Sequence, residues 1–234
     1  MEGSTGTPAR PRLSVIIPAL NEAAQLPQLL SDLAELRKQG DEIIIVDGGS
    51  TDGTQQQASD GADRVLSSPA GRARQMNAGA AVARGDVLWF LHADTRVPAG
   101  AIAAVRQVPS GGHAWGRLRV RLSGRRAMFR VIETMMNLRS CLTGIATGDQ
   151  GICVTRDALG RVGGVPGIPL MEDIELSRRL KRAVGRPACI QAVLVTSSRR
   201  WEERGVWRTV FLMWRLRLAF WVGTDPAALA RRYR

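Results

Sequence analysis

Three places in the chain set polar side chains directly after short apolar runs. Asn21 and Glu22 follow Leu13–Pro18, Asp47 closes Glu42–Asp47, and Asp94 follows Asp86–Leu91. Carboxylates so placed are candidates for oxygen-ligand chemistry, because Mg²⁺ and Mn²⁺ favour carboxylates and commonly share them with substrate phosphates. Each residue also has a plainer use. Asn21 and Asp52 suit a helix cap or turn as well as a ligand contact, whereas Asp47, directly after four apolar residues, is better explained by function. What is missing narrows the chemistry. No GxGxxG follows the first apolar run, no GxxxxGK[ST] is present, and no GxSxG elbow occurs. Dinucleotide-binding, P-loop and serine-hydrolase readings each lack their defining element.

Patterning indicates the elements that would hold these residues. Leu13–Pro18 and Glu42–Asp47 are β-branched runs of strand length. Between them Leu26, Leu29, Leu30, Leu33 and Leu36 recur at helical spacing, with Pro27 in the first turn and Gly40 as the stop. The turn-rich stretch 48–54 opens a second helix, 62–67 reads as a third strand, 71–84 as a helix and 86–91 as a fourth strand. Strands alternating with helices indicate βαβ units, so the fold class is α/β with a mostly parallel central sheet flanked by helices. In such sheets ligands bind at the carboxyl ends of the strands, where the acidic residues stand. The second half is less regular: a strand over 113–122, a helix over 125–141, a loop and short strand over 148–155, a helix over 171–184 opened by acids, a strand over 189–196, and a helix from Gly205.

The chain has 234 residues, 33 Lys+Arg and 21 Asp+Glu, with 44% hydrophobic content. That content can bury a core and excludes a disordered chain or a disulfide miniprotein. Residues 1–100 carry 9 basic and 12 acidic side chains, while residues 101–234 carry 24 and 9. Charge sorted this way points the second half at something negative: a phosphorylated acceptor, an anionic membrane surface or nucleic acid. Cys141, Cys153 and Cys189 are far apart and lack zinc or redox spacing, so the expectation is three buried free thiols in a reducing cytosol. Residues 1–12 read as a flexible leader with no signal-peptide core, and no run of about 18 uncharged apolar residues marks a membrane span.

Five ordered motifs carry a family resemblance. Ser14–Glu22 (SVIIPALNE), Ile45–Thr54 (IVDGGSTDGT) and Gly71–Gly79 (GRARQMNAG) resemble the opening of a family 2 glycosyltransferase. His92-Ala93-Asp94 stands where that family keeps its metal-binding element, and Glu172-Asp173 where it keeps its acidic catalytic motif. Thr147–Gly151 (TGDQG) and Ser198–Trp201 (SRRW) are similar to the arsenosugar-biosynthesis-type, or radical-SAM/selenodomain-associated, transferases. The resemblance implies a GT-A fold over 13–204, with a nucleotide-binding half at 13–100 and an acceptor half at 101–204, and a C-terminal helical extension over 205–234. It implies transfer with inversion from a nucleotide-diphosphate sugar, a UDP-sugar first, to a small or phosphorylated acceptor. Pro18, Asn21, Glu22, Asp47, Ser50, Arg72, Asn77, Ala93 and Asp94 would line the donor site. Asp94 would hold Mg²⁺ or Mn²⁺, with His92 a second candidate ligand. Asp173 would be the base and Glu172 an orienting group. Asp149, Gln150, Arg200 and Trp201 would face the acceptor or diphosphate. The chain departs from the family at Gly48, where relatives carry a second acid, at His92, where an acid is common, and at Ser197, where a glutamine usually leads.

From Gly205 onward, Trp207, Phe211, Trp214, Leu218 and Trp221 fall on one helical face, with Arg208 and Arg215 beside it. Such a face suits packing on the domain, a homodimer, or an anionic membrane surface. The protein is therefore expected to be cytoplasmic, with peripheral attachment to the inner membrane face as an alternative and a polyprenyl phosphate as the acceptor that would use it. A non-catalytic basic module for nucleic acid is the reading from another class. It rests on charge alone, with no recognition motif or stacking platform.

Overall fold

The computed structural model describes residues 10–233, apart from the side chain of Arg200. Seven strands form one sheet in the order β3-β2-β1-β4-β6-β5-β7. The strands are β1 (Leu13–Ala19), β2 (Glu42–Asp47), β3 (Arg64–Ser67), β4 (Val87–Phe90), β5 (Trp115–Leu122), β6 (Cys153–Thr155) and β7 (Ala188–Thr196). β1, β2, β3 and β4 pair in parallel, as do β5 and β7, while β6 runs antiparallel to both of its neighbours.

Alternation along the central strands sends side chains to two cores. Val15, Ile17, Ile43 and Ile45 meet α1 (Leu26–Lys38) and α4 (Ala101–Arg106), whose Leu29, Leu33, Leu36, Ala101 and Val105 are buried there. Ile16, Ile44, Val46 and Phe90 face α3 (Arg72–Val82), α6 (Arg156–Arg161) and α7 (Glu172–Val184) on the other side. A parallel sheet covered on both faces explains why its strands are continuous apolar runs. α2 (Thr54–Gly61) follows the 48–53 turn, and α5 (Ala127–Thr143) packs along β5. α8 (Arg199–Arg204), α9 (Val206–Trp221) and α10 (Pro226–Tyr233) close the chain; Leu216 and Leu229 pack on Met171, just ahead of α7.

Two expectations are corrected. Cys141 and Cys189 form a disulfide with a Cα–Cα distance of 6.0 Å, because the end of α5 folds back onto the start of β7. Only Cys153 is free; it is buried, and burial pushes its thiol up to about 12. The compartment argument built on three free thiols therefore falls. Residues 1–9 of the expected leader lie outside the described residues, and its end is fastened: Arg10 pairs with Asp41 at 3.0 Å and the Arg12 N–H donates to Asp86 at 2.8 Å. No described helix is long and apolar enough to cross a membrane.

Candidate active site

The carboxyl ends of β1 and β4, the turn before β6 and the start of α7 open on one cleft of about 480 Å³. β1 delivers Pro18 and, just beyond it, Glu22; β4 delivers His92, Ala93 and Asp94; α3 contributes Arg72 from its first turn. Asp149 comes from the loop before β6, Glu172 and Asp173 from the N-terminus of α7, and Trp201 from α8. Met171 holds a left-handed φ of 68° immediately before α7. That conformation is uncommon for a long side chain and is kept where surrounding structure enforces it. Here it starts α7 at the cleft wall.

Charge is arranged unevenly across the cleft. Burial raises the Glu22 carboxyl above its usual range and Asp94 adds to the shift, while Arg199, Arg72 and His92 oppose it. Glu172 is buried and likewise raised, first by burial and then by Asp173. Asp173 accepts from the Gly148 N–H at 2.8 Å and from the Ile174 N–H at 2.7 Å, within the favourable field of its helix N-terminus. Two acids near one another at the Glu22–Asp94 end form an oxygen donor set that a divalent cation would relieve. No group of three or more His, Cys, Asp or Glu side chains that could hold a metal ion is present among the described residues.

Several expected site residues stand elsewhere. Asp47 is fully buried and does not line the cleft; its carboxylate accepts from the N–H groups of Gly49 and Ser50, from the Ser50 hydroxyl and from Gln55 Nε2 at 2.8 Å. Burial opposes its ionisation, but the Ser50 and Gln55 bonds outweigh that and hold it below the usual range. Ser50 in turn accepts from the Asn21 N–H at 2.8 Å, so Asn21, Asp47 and Ser50 organise the turn behind the cleft. Asn77 makes a two-bond clamp on the Val165 backbone, at 2.7 and 2.8 Å. Gln150 is buried, donating to Ser140 at 2.8 Å and anchoring the 147–151 loop to α5. His92 Nδ1 lies 3.2 Å from Asp149, and a Cβ on Gly148 would collide with its Nε2. His92 thus bridges β4 to that loop while lining the cleft beside Asp94. The side chain of Arg200 is outside the described residues.

With this geometry, one comparison decides the family. The Glycosyl transferase family 2 model matches residues 14–155, more than half of the chain. The chain belongs to that family. A PGL/p-HBAD biosynthesis glycosyltransferase of Mycobacterium tuberculosis is 40% identical over 93 residues, which are 37% of this chain and 36% of the relative. The matched stretch thus spans about a third of each protein. Among solved structures, a mannosyltransferase from Pyrobaculum calidifontis in complex with GDP-Man and Mn²⁺ has a TM-score of 0.65 at 23% identity, covering 90% of this chain and 61% of that one. S. aureus TarS 1-349 gives 0.66 at 18%, covering 80% and 60%. The Mycobacterium tuberculosis glucosyl-3-phosphoglycerate synthase with Mn²⁺, UDP and its product gives 0.57 at 22%, covering 80% and 71%. These likenesses establish the GT-A-type fold of this family 2 chain.

Among the contributors to the cleft that sequence reasoning missed are Gln75, Thr209, Met213 and Arg217. Gln75 is buried and donates to the carbonyls of Ala19 and Val46, both at 2.8 Å, tying α3 to two strand ends. Thr209, Met213 and Arg217 line the cleft from α9, Thr209 on the side away from the tryptophans and Arg217 on the flank of their stripe. Polar and cationic residues interrupting an apolar helix away from its aromatic stripe were the available signal.

Proposed function

We propose that the cleft transfers a sugar, with inversion, from a nucleotide-diphosphate donor, a UDP-sugar first, to a small or phosphorylated acceptor. The observation that carries this reading is the convergence of Asp94, Arg72 and Asp173 on one cleft. Asp173 takes the proton of the acceptor hydroxyl as that oxygen bonds to the anomeric carbon and the sugar–phosphate bond breaks. Its carboxylate is preset by the Gly148 N–H, and buried Glu172 beside it orients the sugar or acceptor. Arg72 and Arg199 face the leaving diphosphate and offset the charge it gains. Asp94 would hold Mg²⁺ or Mn²⁺, which when bound neutralises charge on the phosphates. The arsenosugar-type subgroup remains a proposal resting on Thr147–Gly151 and Ser198–Trp201, and no acceptor is taken from it.

A second acceptor, a polyprenyl phosphate at a membrane face, is favoured by one observation. Trp207, Phe211, Trp214, Leu218 and Trp221 of α9 are all between 61% and 77% exposed rather than packed on the domain. The deciding experiment for the donor site is thermal shift with UDP, GDP, ADP and CMP, each with Mn²⁺ or EDTA. One nucleoside diphosphate should stabilise the wild type only with metal, and Asp94→Ala should abolish the response. At 100 times its dissociation constant a ligand adds about 2.7 kcal/mol of stability. No metal-dependent response to any nucleotide would overturn the reading.

A further inference from the structure

Two largely buried arginines lie within electrostatic range of Asp173. Arg217 reaches the cleft from α9, and Arg139 of α5 lies within electrostatic reach of both Arg217 and Asp173. The Nε of Arg217 and the Nε and Nη2 of Arg139 are buried without a hydrogen-bond partner; Arg139 keeps one bond, from Nη1 to the Ile145 carbonyl at 3.2 Å. Asp173 makes no hydrogen bond to these atoms; its oxygens accept from the Gly148 and Ile174 N–H groups. Burial, then the neighbouring Arg217 charge, pushes Arg139 down to about 10.

Buried unpaired donors on two mutually repelling cations are unfavourable, and a compact oxyanion removes both defects at once. Guanidinium forks match phosphate oxygens closely. Arg217 lines the same cleft as Arg72; the arginine pair interacts electrostatically with Asp173, whereas Arg72 and Arg199 act on Glu22. We propose that Arg139 and Arg217 form an anion subsite that binds a phosphate group of the acceptor. This rests on the reading of the cleft as a transfer site. It puts the phosphate next to the base, so that a hydroxyl on the same molecule is presented to Asp173.

Calorimetric titration of inorganic phosphate into the full chain, in EDTA at constant ionic strength, tests this. Wild type is expected to bind, with Kd at least tenfold weaker in Arg139→Gln and in Arg217→Gln but within twofold of wild type in Arg72→Gln. Arg217→Lys, keeping charge without the fork, should fall between. Arg217 makes no described hydrogen bond, so its variants decide the matter should Arg139→Gln fail to fold. UDP with Mn²⁺ is titrated separately. Its Kd should be unchanged in both glutamine variants, and its failure to bind wild type would sink the transfer reading while leaving the phosphate result intact. No phosphate binding, binding that survives both substitutions, or loss in Arg72→Gln instead would overturn the subsite. Competition by sn-glycerol 3-phosphate would assign a soluble phosphomonoester, and competition by phosphatidate vesicles alone a lipid phosphate. Competition by neither would overturn the acceptor role.

Discussion

Asp47 bears a charge that its own turn consumes. Its hydrogen bonds from the Gly49–Ser50 backbone, the Ser50 hydroxyl and Gln55 hold the carboxyl below its ordinary range despite burial. A carboxyl lowered in the folded state contributes stability above its unfolded pKa and loses it as pH falls through the folded value. Hydrogen bonds to charged groups are worth about 1.5–3 kcal/mol, so Asp47→Asn should cost about 1–3 kcal/mol in urea unfolding at pH 7. That difference should shrink as pH drops below the usual aspartate range; a pH-independent difference would mean the charge is not what the turn uses. Asp173 differs because it faces the cleft. Asp173→Asn should lower the single-turnover transfer rate roughly 10²–10⁴-fold and leave UDP affinity within about twofold. Loss of UDP binding as well would make Asp173 an anchor for Gly148 rather than a base.

At the scale of elements, α3 fits its seat because Gly79 has no side chain. A Cβ there would stand 2.5 Å from Ile16 Cγ2 and 3.2 Å from Val46 Cγ2, on the two strands that carry the cleft. Gly79→Val should therefore cost about 1–3 kcal/mol by overpacking, lowering Tm by roughly 2–4 °C per kcal/mol. Unchanged stability would show that α3 can shift outward. The elements around it were legible because two simple periods govern them. The leucines of α1 repeat at helical spacing, and the runs of β1 and β2 are those of buried strands. α4, α6 and α8, each six residues, are too short for a helical period to emerge, and the break between α9 and α10 inside the expected helical extension was not read. The antiparallel course of β6 and the meeting of Cys141 with Cys189 depend on long-range return of the chain, which local spacing does not encode. In the cleft, Glu22 and Asp94 could be named because each follows a strand-like apolar run, and Arg72 and Asp173 because their motifs resemble those of the family. Gln75 and Arg217 sit inside helices and were hidden among residues with structural uses.

For the molecule as a whole, charge and apolar surface are placed together. The aromatic face of α9 is exposed, the helix contains Arg208, Arg215 and Arg217 and no acid, and Thr209, Met213 and Arg217 of the same helix line the cleft. Two copies meeting through this face would bring like charges together, whereas an anionic bilayer takes tryptophan at its interface and arginine at its headgroups. Arginines near such a surface add about 1 kcal/mol each, and salt screens them. The chain should therefore sediment with vesicles containing phosphatidylglycerol, bind neutral phosphatidylcholine vesicles less, and be partly released by high salt. Trp214→Ala with Trp221→Ala removes two large exposed apolar groups, each worth about 1.5–3 kcal/mol if fully buried. The double variant should weaken vesicle binding at least tenfold while UDP binding with Mn²⁺ stays unchanged. A stable dimer in analytical ultracentrifugation that ignores vesicles would assign the face to a second copy, and the cleft would then open toward soluble acceptors. Vesicle binding would instead set the mouth of the cleft at the headgroup layer, because one helix forms both the lipid-facing surface and the wall carrying Thr209 and Arg217.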